Sequence, residues 1–153
     1  MHRVLRGAAI AAIVIGGCTT VENGPLADPA KMLDETVFRC NVEPILARQC
    51  SYTGCHGVQE SALRVYSPGK LRATPAATLD DAIKVLTDAE QHANFESAAG
   101  FATLAPGDNF LLRKPLASAA GGFEHAGGAI FPTINDPQYV AISAWLTGRG
   151  VCK

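Results

Sequence analysis

The sequence is short of charge of either sign. Charged residues make up 18% of its 153 positions and the formal net charge is −1. It therefore lacks the basic surface of a nucleic-acid binder and the acidic excess of a disordered tail. It has no P-loop, no dinucleotide fingerprint and no Ser/His/Asp set, which argues against nucleotide use and cofactor-independent hydrolysis. It has no internal repeat and no run of alternating strands, and its longest apolar run, Ala8 to Ile15, is far too short to cross a bilayer. Methionine is scarce, with only Met1 and Met32. What is present fits one domain with a real core: 48% of the residues are hydrophobic. Fifteen glycines and nine prolines predict long loops between few regular elements. The five cysteines are an odd number, and each thiol needs a role.

Arg3 and Arg6 precede the run Ala8 to Ile15, and Gly16, Gly17 and Cys18 follow it. This is the pattern of a secretory signal. Its end, Ile15-Gly16-Gly17-Cys18, resembles a bacterial lipobox, in which the signal is cut before the cysteine and that cysteine is lipidated. The resemblance implies a signal peptide over 1–17, lipidation of Cys18, a tether over 18–30 and a domain over 31–153. Thr19 after the cysteine implies sorting to the outer membrane, facing the periplasm of the bacterial cell envelope. The alternative is an ordinary signal with an incidental cysteine. Loss of Arg3 and Arg6 moves the formal charge from −1 to −3. An exported compartment permits disulfides and covalent cofactors.

The pattern predicts a mostly α chain. A helix is expected to begin near Pro29 with Asp28 as its cap. Phe38, Val42, Ile45 and Gln49 fall on one face of it, and Pro44 must kink or restart it. Residues 53–75 read as loop, with an extended piece over Leu63-Arg64-Val65-Tyr66. Leu79 to Gln91 reads as one helix with Leu79, Ile83 and Leu86 on one side. A loop is expected over 100–107, a short helix over Asn109 to Lys114, and irregular glycine-rich chain over 117–132. Asp136-Pro137 opens the last helix and Gly148 closes it, with Tyr139, Ile142 and Leu146 inward.

The chemistry concentrates in Cys50-Ser51-Tyr52-Thr53-Gly54-Cys55-His56. Two cysteines with histidine directly after the second is the attachment pattern for c-type haem, normally written C-x-x-C-H. Two thiols add to the two vinyl groups, and the adjacent histidine lies beneath the iron. Here four residues separate the cysteines instead of two. On the motif alone, two other readings stay open: a small Cys50–Cys55 disulfide beside an exposed His56, and a transition-metal site of thiolate and imidazole.

The flanks carry further matches. Phe38, Val42, Pro44-Ile45-Leu46 and Cys50 lead into the motif. Leu104-Ala105-Pro106-Gly107-Asp108 is followed by Leu111, Leu112, Lys114 and Pro115. His125-Ala126-Gly127-Gly128 comes next, then Asp136-Pro137 with Tyr139 and Trp145. In this order, from Phe38 to Gly150, the chain resembles the small single-haem cytochrome c domains of exported bacterial lipoproteins. Residues 59–101 match least.

The resemblance implies a mostly α, cytochrome c-like fold with long loops around one covalently attached haem c. Cys50 and Cys55 would attach it, and His56 would be the proximal iron ligand. Such domains draw the distal ligand from the loop after the motif, which contains no methionine; Met32 precedes it. His92 and His125 remain, and His125, in the H-x-G-G position, is the expected distal ligand, with an open distal site as the alternative. Two imidazoles place the potential below that of a Met/His haem. Phe95, Phe101, Phe110, Phe123 and Phe131 are candidate pocket walls. Arg64, Lys70, Arg72, Arg113 and Lys114 are candidates for the propionates, though each taken singly reads better as a solvated surface charge. The first and last helices of such domains pack across each other, which implies a Cys40–Cys152 disulfide. The function implied is electron transfer, with redox proteins of the envelope as partners, membrane association through the lipid anchor and no nucleic acid. The rival readings are a disulfide-stapled envelope lipoprotein without haem, and a haem protein with an open distal site.

Overall fold

The computed structural model describes residues 33–102 and 108–152. The expected signal, Cys18, the tether, the helix start near Pro29, Met32 and residues 103–107 lie outside that range.

Helix α1 is composite: α-helical over Glu35–Val37, π-helical over Phe38–Val42 and α-helical again over Glu43–Gln49. Asp34 caps it, its carboxylate accepting from the Val37 N–H at 3.0 Å. The wide turn answers Pro44, which has no N–H to donate and whose ring crowds the preceding turn. The Glu43 N–H reaches back five residues to the Phe38 carbonyl, and Pro44 then sits in the first turn of the renewed α-helix. Phe38, Val42, Ile45 and Leu46 are all buried along α1.

The expected single helix over Leu79 to Gln91 is two elements: α2 over Leu79–Ile83 and α3 over Asp88–Ala99. Two causes split it. Thr87 and Glu90 form a reciprocal capping box that starts a new helix at Asp88. The Arg72 guanidinium takes the carbonyls of Asp81, Ala82, Lys84 and Val85, which an unbroken helix would have kept for its own ladder. The apolar stripe of α2 faces outward, with Leu79 85% and Ile83 64% exposed.

A short helix, α4, spans Phe110–Arg113 behind an Asn109 cap. The last helix, α5, spans Pro137–Leu146, capped by Asp136. Its deepest residues are Ile142 and Trp145, whereas Tyr139 and Leu146 are only partly buried. Phe38, Phe95 and Trp145 from α1, α3 and α5 meet as a triangle with centroids 5.2 to 6.2 Å apart. The Trp145 Nε1–H donates to the Asp34 carbonyl. Beyond α5, Cys152 is joined to Cys40 of α1 by a disulfide, Cα to Cα 5.7 Å.

No strand forms among the described residues, and the piece expected over Leu63 to Tyr66 stays without a partner strand. One isolated bridge pairs Leu116 with Phe131. It pins the feet of a long loop, with Pro115 accepting from Ile130 and Phe131, and Ala117 donating to Phe131. The described chain is thus mostly helical, with long loops.

Candidate functional site

Cys50 ends α1, its N–H donating to the Leu46 carbonyl. The chain then reverses through Tyr52–Cys55, closed by the Cys55 N–H on the Tyr52 carbonyl at 2.9 Å, with Gly54 at φ +85°. The His56 N–H returns to the Cys50 carbonyl at 3.1 Å. The extra residues between the cysteines are therefore looped out, and Tyr52, Thr53 and Gly54 are exposed. Gly57 packs so tightly that a Cβ there would collide with the Ser51 carbonyl. Lys70 braces the turn from outside. Its ammonium donates to the Ala47 carbonyl and Ser51 hydroxyl and lies 3.7 Å from the Tyr52 ring centroid.

His56 is half-buried. Its Nδ1 lies 3.2 Å from the Ser61 hydroxyl, which itself donates to the Leu63 carbonyl at 2.9 Å. A hydroxyl has one proton, and here it is spent on Leu63. Nδ1–H must then be the donor to Ser61, which leaves Nε2 as a free lone pair. Burial pushes the His56 pKa down, and neighbouring His125 adds to this against the raising effect of the Leu63 carbonyl. The imidazole is thus held neutral, the form that ligates metals.

His125 stands on the glycine-rich loop between Leu116 and Phe131. The Gly128 N–H closes a turn on the His125 carbonyl, with Gly128 at φ +72°. Gly127 lies against the ring, where a Cβ would approach Cε1 to 2.7 Å. The His125 Nδ1 is buried with no hydrogen-bond partner among the described residues.

The two rings face one another, with centroids 6.0 Å apart and planes 10° from parallel. Both line one cavity of about 230 Å³ that is otherwise mainly apolar, walled by Leu46, Leu63, Phe101, Leu111, Pro115 and Ile130. Cys50 lines it too. Phe110 lines it while remaining 48% exposed, so one wall reaches the surface. Burial, with Cys55 adding to it and Lys70 opposing, pushes the Cys50 thiol up to about 11, so it stays protonated at neutral pH. Cys55 is exposed and does not line the cavity; it and Cys50 are both free thiols.

Two imidazoles bonded to one metal ion from opposite sides, at about 2.0 Å per bond, have ring centroids about 6 Å apart. The observed centroid spacing has that value, with the two rings stacked and their planes 10° from parallel. No group of three or more His, Cys, Asp or Glu side chains converges to hold an ion among the described residues. The donor set that the cavity offers is one imidazole on each side and a thiol at the edge.

The other candidates separate. His92 lies on the surface of α3, paired with Glu35. Phe101 and Phe110 line the cavity, whereas Phe95 belongs to the aromatic triangle and Phe131 packs on Tyr139 in the core. Phe123 contacts Phe110 edge-on and carries the Arg113 guanidinium 3.7 Å from its centroid. Arg72 is committed to buried Glu90, and Arg113 to Asp108 and the Gly121 carbonyl. Lys114 lines the cavity, and the Arg64 Nε is buried without a partner among the described residues. These two fit anionic substituents better than the other three cations. Ser61 gave no signal in the sequence, since nothing in its spacing marks a hydroxyl five residues after a histidine as its acceptor.

No protein-family model, curated protein or solved structure matches this chain.

Proposed function

We propose that the chain is a c-type cytochrome that carries single electrons in the bacterial cell envelope, with a cytochrome c-like fold around one covalently attached haem. The observation that carries this reading is the pair His56 and His125, parallel at 6.0 Å across an apolar cavity that Cys50 also lines. When bound, the haem supplies an iron that cycles between ferric and ferrous states. The chain's own residues do the rest. Cys50 and Cys55 anchor the macrocycle edge, and exposed Cys55 is reachable by the attachment machinery. His56 presents Nε2, its tautomer fixed through Ser61. His125 would supply the second imidazole. Leu46, Phe101, Leu111 and Ile130 exclude water, which lowers the local dielectric. Lys114 and Arg64 offer charge to the propionates. Lipidation at Cys18 tethers the domain to the outer membrane and presents it to redox partners there.

The test is a haem stain of the full chain on a denaturing gel, after expression with a cytochrome maturation system. One covalent haem per chain is expected, lost in Cys50→Ala/Cys55→Ala. A wild-type chain that folds and takes up no covalent haem overturns the reading. For the anchor, Cys18→Ser should release the protein from the membrane fraction.

A further inference from the structure

The two imidazoles are not equally supported. His56 is held from behind: Nδ1–H to the Ser61 hydroxyl, and that hydroxyl to the Leu63 carbonyl. Such an acceptor fixes the ring and raises its strength as a ligand. His125 has none among the described residues, where its Nδ1 is buried without a partner. An imidazole that ligates through Nε2 must carry its proton on Nδ1, and a buried N–H without an acceptor is unfavourable. Its seat differs as well. His125 is a wall of two cavities: the one it shares with His56, and a second of about 530 Å³ lined also by Leu116, Ser118, Phe123, Glu124 and Ala126. The ring therefore borders space beyond the cavity it shares with His56. Among the described residues, the one backbone hydrogen bond between Phe123 and Ile130 runs from the Gly128 N–H to the His125 carbonyl.

We infer that His125 is an exchangeable ligand, which a small neutral π-acceptor such as carbon monoxide displaces into the second cavity while His56 stays bound. This rests on the haem reading above. The exchange breaks the iron–His125 bond and forms one iron–carbon bond, with no net transfer of electrons or protons. It adds reversible binding of a diatomic ligand to electron carriage. Ser61 is a positioning residue: it decides which histidine stays.

The experiment is a carbon monoxide titration of the reduced, haem-loaded full chain, followed by optical and infrared spectra, beside the same titration of His125→Ala. Haem content is measured first, so a chain without haem sinks the function proposal before any gas is added. The expected result is a saturable complex whose Soret band and carbonyl stretch coincide with those of the His125→Ala complex. Gly127→Ala, which presses the ring, should tighten binding by at least threefold. No complex at saturating gas in the wild type, while His125→Ala binds, overturns the inference. A wild-type complex whose bands differ from those of His125→Ala overturns it too, because His56 would then have been the ligand lost.

Discussion

The segment that carries His56 and the loop that carries His125 solve the same task, aiming an imidazole into one cavity, by opposite means. The first is a closed network. Between Leu46 and Val65 the backbone returns on itself at Leu46, Cys50, Tyr52 and His56, Gly57 is too tightly packed for a side chain, and Ser61 and Lys70 add bonds from outside. Behind it lie α1, the aromatic triangle and the disulfide. The loop is fastened at its feet, around Pro115, Ala117 and Phe131, and by Arg113 at Gly121 and Phe123, and its tip beyond Phe123 is glycine-rich. Rigidity is concentrated on one side of the cavity and adjustability on the other. On the haem reading, a site built this way would keep one ligand constant while the other responds.

The largest break in this comparison comes from the histidines themselves. His56→Ala should abolish assembly of the low-spin protein, whereas His125→Ala should keep covalent haem and turn high-spin in the ferric optical spectrum. If both variants behave alike, the two sides are equivalent. Next is the clamp on α1. Cys40→Ser/Cys152→Ser removes a cross-link of sequence separation 112. The chain-entropy model gives about 4–5 kcal/mol for a loop that size. Denaturant unfolding of this variant against the wild type should show that loss.

The third test is acid. Arg72 beside Glu90, helped by the N–H groups of Thr87 and Ala73, holds the Glu90 carboxyl at about 2, against the opposing effect of its burial. A depressed carboxylate stabilises the fold fully above its unfolded pKa and loses that contribution as pH falls through the folded value. About 3 kcal/mol should therefore disappear between roughly pH 5 and pH 2. Glu90→Gln should flatten that part of the stability–pH curve while lowering its plateau, because Arg72 is left buried without its counter-charge. The smallest effect is expected from Ser61→Ala. It removes one hydrogen bond behind His56, on the order of 1 kcal/mol, and should raise the reduction potential slightly in protein-film voltammetry. No change would mean that the Leu63 carbonyl takes the Nδ1 proton unaided.

Much of the frame was legible because local signals agreed with packing. Asp136-Pro137 starts the last helix, and the apolar face from Phe38 to Ile45 is buried. The failure at Leu79 to Gln91 is instructive. Its apolar period was real, but the ends of α2 and α3 are set by Arg72 and Glu90, which meet only in the folded chain. Periodicity cannot report a guanidinium that arrives from another segment. Likewise Trp145, not Leu146, lies deepest on α5, because a tertiary bond from its indole to Asp34 orients the helix. At the site, both histidines were nameable from the sequence. Their 6.0 Å separation, the Ser61 relay and the second cavity behind His125 were not, since each depends on loops that carry no pattern. The Cys40–Cys152 pairing was reachable only through the resemblance, as spacing alone pairs no cysteines.

To a protease, that cross-link turns the chain from a string into a ring. Nearly the whole folded domain lies between Cys40 and Cys152. A single cut at the exposed stretch around Leu79 to Val85, or at the tip of the histidine loop, would open the ring without freeing a fragment. Such a nicked molecule would keep both pieces. On a gel it would run whole until a reductant was added.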